Sequence, residues 1–216
     1  EIIMNYYSLL IDIQDKNVLV IGQYKILEFK IEKLLEAGAK IRYISNSLSP
    51  KLKKYVDSGQ IMYLNEKYND SHLDDVWLVI CGSSDTALKK KIEQATTERH
   101  IYCNFVDEPK PSSFISPSVL KKGDITISIS TNGKSPALNR FLKKKIDNFI
   151  GDEYQKFAEL MGKIRTKVLD NIKGQHNRAK FFDSIVKNQK LLKLIKNNKI
   201  NLFIIPLLNF IDDTKL

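Results

Sequence analysis

The chain has 216 residues, of which 43% are hydrophobic and 28% charged; this is the balance of a soluble globular protein with a real core, and it excludes a disordered chain. Lys and Arg number 35 against 25 Asp and Glu, a formal net charge of +10, so the surrounding field favours anionic partners, either nucleic acid or an anionic small molecule. The lysines are spread along the chain rather than gathered in one arm, which is equally the pattern of a solvated surface.

Residues 17–22 form a short apolar run closed by Gly22, the pattern of a strand buried on both faces. Helical spacing follows through Ile26, Phe29, Lys30, Lys33, Leu34 and Ala37, with Gly38 as the stop. Residues 40–44 read as a second strand, so one βαβ unit is complete within about thirty residues. Ser49 and Pro50 mark an N-cap and first position for a helix over residues 49–58. Short strands are expected at 60–64, 76–81 and 101–106, with helical character over 86–99. Strands alternating with helices argue for a parallel sheet covered on both faces.

The texture changes after Asp107. Residues 108–113 are rich in turn formers and read as a connection. Lys122-Gly123-Asp124 signals a turn, and residues 125–130 alternate apolar and hydroxyl side chains, as in a half-buried antiparallel strand. Leu138, Phe141, Leu142 and Ile146 then share one helix face, and residues from 152 onward read as Lys-rich amphipathic helices. The apolar stretch 200–211 is interrupted by Asn201, Pro206 and Asn209 and is too short to span a bilayer; it reads as a terminal helix or packing segment, and no membrane partner is expected.

Cys81 and Cys103 sit inside apolar runs without metal-site spacing, so they read as small packed hydrophobes in a reducing compartment. No signal peptide is visible, and Glu1 suggests that the native initiator lies elsewhere. His72, His100 and His176 lack ligand spacing and are expected on the surface; no metal-ligating residue is assigned.

A strand that enters a helix through glycine is where a dinucleotide fingerprint belongs. Its glycines serve a tight turn, close approach to the pyrophosphate and close helix–strand packing. Here the turn is Gly22-Gln23-Tyr24-Lys25-Ile26-Leu27. Tyr24 stands at the second glycine position and Leu27 at the third, so a ring is expected to crowd the phosphates. The ribose-binding acid at the end of the second strand is replaced by Ser45-Asn46-Ser47. On these residues alone, a plain βα turn and a nucleotide site both remain open.

Other blocks carry a resemblance. They are residues 7–13 followed by 16–22; Leu34-Leu35-Glu36-Ala37-Gly38-Ala39-Lys40-Ile41; Asn104-Phe105-Val106-Asp107; Ser113-Phe114-Ile115-Ser116-Pro117-Ser118; and Ser130-Thr131-Asn132-Gly133-Lys134-Ser135-Pro136. In order and spacing, over about residues 5–145, they resemble the precorrin-2 dehydrogenase/sirohydrochlorin ferrochelatase family of sirohaem synthesis. The resemblance implies a Rossmann-like NAD-binding domain over residues 1–112, a dimerisation region over 113–150 and a helical C-terminal domain over 151–216. A fused methyltransferase module, found in some relatives, is not expected.

It also implies a cytoplasmic homodimer that oxidises precorrin-2 to sirohydrochlorin with NAD, with ferrous iron as a second substrate where chelatase activity is present. Asp107 falls on the family's acidic residue, the general base. Just past a strand's C-terminal end, it lies where open α/β sheets place ligands; its other reading is a turn aspartate. Gly22, Gln23, Tyr24, Lys25, Ile26, Asn46, Ser47, Gly82, Ser83, Ser84 and Asp85 fall on the cofactor cleft. Asn104, Ser113, Thr131, Asn132, Gly133, Ser135 and Arg140 are candidates for the anionic tetrapyrrole, with Lys143, Lys144 and Lys145 nearby; Ser135 before Pro136 is equally a helix cap. An alternative keeps the tetrapyrrole site without NAD, as a chelatase or carrier. A basic nucleic-acid-binding module is the remote alternative; it lacks any zinc-finger, RNP-like or recognition-helix signature, so no nucleic-acid partner is expected.

Overall fold

The structure is a computed structural model that describes residues 6–106, 108–197, 199 and 207. The chain forms two compact units, residues 1–116 and 117–216.

The first unit holds a five-stranded parallel sheet of order β3-β2-β1-β4-β5. Its elements are β1 (Asn17–Gly22), α1 (Lys25–Glu36), β2 (Lys40–Ile44), α2 (Pro50–Asp57), β3 (Ile61–Leu64), a 3-10 turn (Asp70–Leu73), β4 (Val76–Gly82), α3 (Thr86–Glu98) and β5 (Tyr102–Phe105). The central strand is buried on both faces because alternate side chains enter different cores. Val18 and Val20 meet Leu27 and Ile31 of α1 and Leu52 of α2. Leu19 and Ile21 meet Ile92 and Ala95 of α3. Each fully buried aliphatic side chain contributes about 1.5–3 kcal/mol relative to exposure, so the runs that identify β1 and β4 in the sequence are also what holds the sheet.

Local chemistry sets the helix ends. Gly38, at φ +79, follows α1 in the left-handed region. The Ala39 amide donates to the Leu34 carbonyl at 3.0 Å and the Gly38 amide to that of Leu35 at 2.9 Å, which closes a Schellman motif. Ser49 caps α2 by accepting from the Leu52 amide, and Asp85 caps α3 by accepting from Ala87 and Leu88. His72 departs from the surface expectation: its side chain is 11% exposed and accepts from the Asn69 amide in a capping box. His100 and His176 are exposed. Cys81 and Cys103 are free and buried. Burial pushes the Cys81 thiol up to about 11 and raises that of Cys103 as well, so both pack as neutral thiols.

The second unit opens with a hairpin of β6 (Ser118–Lys122) and β7 (Ile125–Ile129). Gly123, at φ +55, takes the first place of its two-residue loop, where a left-handed conformation matches the strand twist. The strand β6, with mostly polar side chains, has no periodicity to announce it; it forms by pairing with β7. Helices α4 (Pro136–Phe149), α5 (Asp152–Asn171), α6 (Gln175–Val186) and α7 (Gln189–Lys196) follow. Phe157, Leu160 and Ile164 of α5 pack with Ile185 of α6 and with Leu191 and Ile195 of α7. By contrast, α4 buries no residue. The apolar stretch 200–211 lies outside the described residues except for Leu207, which packs against this last cluster. Among the described residues no helix is long and apolar enough to cross a membrane. The α/β sheet and the helical C-terminal region match the fold expected from the sequence.

Candidate functional site

The chain leaves β1 toward β2 on one side and reaches β4 on the other, so the crevice at the C-terminal ends of β1 and β4 is the switch point where open α/β sheets bind ligands. Two glycines meet there. Gly22 lies at φ +115, and a Cβ on it would fall 1.9 Å from the Gly82 carbonyl oxygen. The Gln23 amide donates to that same oxygen at 3.3 Å. Tyr43, on β2, donates its phenol to the Gly22 carbonyl at 2.9 Å.

Gly82 explains Leu27. A Cβ at position 82 would come within 2.9 Å of Leu27 Cδ1, and Leu27 is fully buried. The third fingerprint glycine normally permits close helix–strand packing. Here the space is vacated by a glycine on the neighbouring strand instead, so the leucine does not spoil the turn. Gly82→Ala is expected to overpack this contact and cost about 1–3 kcal/mol, read as a lowered midpoint in urea. Additivity with Leu27→Ala in the double variant would contradict the direct contact.

The N-terminus of α1 is open. Its N-cap, Tyr24, offers no side-chain cap, whereas α2, α3 and α4 are capped by Ser49, Asp85 and Ser135. The amides of Tyr24, Lys25 and Ile26 have no partner among the described residues, while that of Gln23 is committed to Gly82. Three outward amides with the positive end of the helix dipole suit a phosphate. The Tyr24 ring is 36% exposed, outside the core.

The remaining cleft candidates lie at the same sheet edge. Asn46 and Ser47 follow β2 and are exposed. The Ser45 hydroxyl donates to the Ser47 carbonyl at 2.6 Å, and Tyr63 donates to the Ser45 carbonyl at 2.8 Å. Ser83 accepts from the Asp85 amide at 3.1 Å, Ser84 is exposed, and the Asp85 carboxylate is occupied in capping α3.

On β5, Asn104 is 6% exposed. Its Oδ1 accepts from Lys30 Nζ at 3.2 Å and its Nδ2 donates to the Phe114 carbonyl at 3.0 Å; Lys30 also donates to Ser116 Oγ at 2.8 Å. Ser113 Oγ accepts from the Cys103 amide at 2.7 Å, and Ser112 Oγ accepts from that of Phe105 at 2.9 Å. Two hydroxyls thus satisfy backbone donors along β5, at the sheet edge. Asp107 lies outside the described residues. Its neighbours are anchored: the Val106 amide donates to the Cys81 carbonyl at 2.8 Å, and Glu108 forms an ion pair with Lys89 that raises the lysine pKa.

In the second unit, Thr131 to Lys134 makes a turn. The Lys134 amide donates to the Thr131 carbonyl at 3.0 Å, with Asn132 at φ +51 and Gly133 at φ +80. Thr131 Oγ1 accepts from the Ser135 amide at 2.9 Å, and Ser135 Oγ accepts from that of Leu138 at 3.1 Å. The Asn132 and Gly133 side of the turn is exposed, as is Arg140 on α4, whose guanidinium has no partner among the described residues. No group of three or more His, Cys, Asp or Glu among the described residues is placed to hold a metal. Sequence reasoning did not single out Tyr43, Tyr63 or Lys30 as site residues. The available signal was two tyrosines in register on neighbouring strands, and a lysine beside the buried stripe of α1.

Comparison with known proteins places these features. A family model described as "Putative NAD(P)-binding" matches residues 9–118, just over half of the chain. The chain belongs to that family. A second model, "Sirohaem biosynthesis protein central", matches residues 122–148, the hairpin turn to α4. Siroheme synthase of Escherichia coli O157:H7 is 29% identical over 195 residues, covering 90% of this chain and 43% of that protein. Siroheme synthase 2 of Yersinia pseudotuberculosis serotype O:1b is 29% identical, covering 90% and 41%. The chain therefore spans less than half the length of these relatives. Among solved structures, "SirC, precorrin-2 dehydrogenase" superposes with a TM-score of 0.77 at 20% identity, covering 92% of this chain and 98% of that one; it shares the fold. The resemblance read from the motif blocks is thereby supported along nearly the whole chain.

Proposed function

We propose that this chain oxidises precorrin-2 to sirohydrochlorin, with NAD as the hydride acceptor. The observation that carries the reading is the Gly22–Gly82 junction beside three amides without a partner among the described residues at the switch point, in a chain of an NAD(P)-binding family. NAD, when bound, supplies the acceptor for the hydride. The amides of Tyr24, Lys25 and Ile26 receive its pyrophosphate, Asn46 and Ser47 its ribose, and Gly82, Ser83, Ser84 and Asp85 form the opposite wall. Tyr24, at the second glycine position, contributes its amide.

Asp107 takes the proton that leaves the macrocycle with the hydride, as general base. Asn104 and Ser113 act as braces of that strand end, since their polar groups are engaged with Lys30, Phe114 and Cys103. The exposed turn of Thr131, Asn132 and Gly133, the N-terminus capped by Ser135, and the exposed Arg140 receive the substrate's carboxylates by charge-assisted hydrogen bonds. The net charge of +10 favours capture of such a polyanion. The test is turnover: precorrin-2 and NAD supplied anaerobically to the purified protein should yield NADH stoichiometric with sirohydrochlorin, and no binding at millimolar NAD would eliminate the dehydrogenase in favour of the chelatase or carrier without NAD. Ferrous iron enters as a second substrate in the same proposal, since the relatives are named for sirohaem, an iron-containing product. The proposal places the reaction in the cytoplasm, where the free thiols of Cys81 and Cys103 stay reduced.

The proposal includes a homodimer through the second unit. On α4, Leu138 is 44% and Phe141 54% exposed, and the helix buries nothing; an apolar face of that kind is satisfied by a second copy. Sedimentation at tens of micromolar should show a dimer that Phe141→Glu converts to monomer. A monomeric unsubstituted protein would contradict it.

A further inference from the structure

We propose that Tyr43 and Tyr63 are positioning residues of the cofactor site, fixing from beneath the two backbone carbonyls at which the phosphate-facing and ribose-facing loops leave the sheet; the inference rests on the NAD reading above. The two residues are paired in register on β2 and β3, with ring centroids 6.0 Å apart. Each phenol reaches the last turn-forming carbonyl of a different strand. Tyr43 donates to Gly22 at 2.9 Å, and Tyr63 donates to Ser45 at 2.8 Å.

These carbonyls sit where ladder pairing runs out, so a partner for them must come from a side chain or water. Gly22 immediately precedes the turn whose amides face the phosphate, and Ser45 immediately precedes Asn46. Fixing the Gly22 carbonyl sets the plane of the Gly22–Gln23 peptide, and that plane aims the Gln23 amide at Gly82. Glycines let such a turn form without fixing its path. The Tyr43 phenol supplies that restraint at the Gly22–Gln23 peptide, and the Tyr63 phenol at the Ser45–Asn46 peptide. Tyr43 is 4% exposed, and burial raises its pKa, so it stays a donor across the neutral range.

Phenylalanine at either position keeps the ring and deletes only the donor. Tyr43→Phe and Tyr63→Phe should each weaken NAD binding by about three- to tenfold, the factor carried by one neutral hydrogen bond, raising KM for NAD in step while kcat changes less than twofold. In the cofactor-free protein, hydrogen exchange should quicken at the Gln23 and Leu27 amides in Tyr43→Phe and at the Ser47 amide in Tyr63→Phe, leaving the central β1 amides protected. Unaltered NAD affinity in both variants would overturn the positioning role. So would faster exchange throughout the sheet, which marks a general loss of packing. Failure of the unsubstituted protein to bind NAD, by contrast, would overturn the cofactor reading on which the proposal stands.

Discussion

Gly22→Ala is expected to abolish saturable NAD binding up to millimolar cofactor and to lower the melting temperature by about 5–10 °C. Two effects combine. At φ +115 a residue with a side chain carries backbone strain of about 1–3 kcal/mol, and a chain of this size loses about 2–4 °C per kcal/mol. The new methyl would also fall 1.9 Å from the Gly82 carbonyl oxygen. That atom belongs to the backbone of a central strand and cannot rotate aside, so the turn must lift from β4. Lifting it breaks the Gln23–Gly82 bond and the Tyr43–Gly22 bond, and re-aims the amides proposed to receive the cofactor's phosphates. Calorimetry and thermal denaturation of one preparation check both parts. A variant that melts lower yet binds NAD with unchanged affinity would detach this glycine from the cofactor.

Asp107→Asn is expected to reduce dehydrogenase turnover by about two to four orders of magnitude, the contribution of a positioned general base, with NAD affinity and melting temperature preserved. The asparagine keeps the size of the side chain and removes its capacity to take a proton at neutral pH. Preservation of the fold follows from the flanks, which are held independently by the Val106–Cys81 bond and the Glu108–Lys89 ion pair. Single-turnover absorbance with precorrin-2 and NAD reads the effect. Turnover within a few-fold of the unsubstituted protein would mean that the proton leaves by another group.

The contrast between these two sites shows what the sequence discloses. The sheet was legible because its strands are continuous apolar runs closed by glycine or turn residues; β1 and β4 emerge within a residue of where they were expected. The caps at Ser49 and Ser135 were legible for the same local reason. The strand β6 was not, since Ser118, Lys121 and Lys122 carry no alternation and the strand exists only through its pairing with β7.

At the cofactor turn, local reasoning pointed the wrong way. Leu27 reads as damage to a fingerprint only while its neighbour in space is unknown. Gly82, fifty-five positions later in sequence, vacates the volume that Leu27 fills. Gln23, which falls on the cofactor cleft in the sequence, has its amide committed to Gly82. Asn104 and Ser113 look like substrate contacts as a motif, whereas their hydrogen bonds run to Lys30, Phe114 and Cys103. Long-range pairings of this kind leave no periodic trace, which is why the fold was more legible than the site.

On the proposed reading, three amides without a partner among the described residues and a glycine on the neighbouring strand sustain NAD binding where the fingerprint has lost two of its glycines. Calorimetric titration of the purified protein with NAD tests it most directly. Saturable one-to-one binding below millimolar cofactor, lost in Gly22→Ala, is the predicted result; no binding by the unsubstituted protein at millimolar NAD would contradict it.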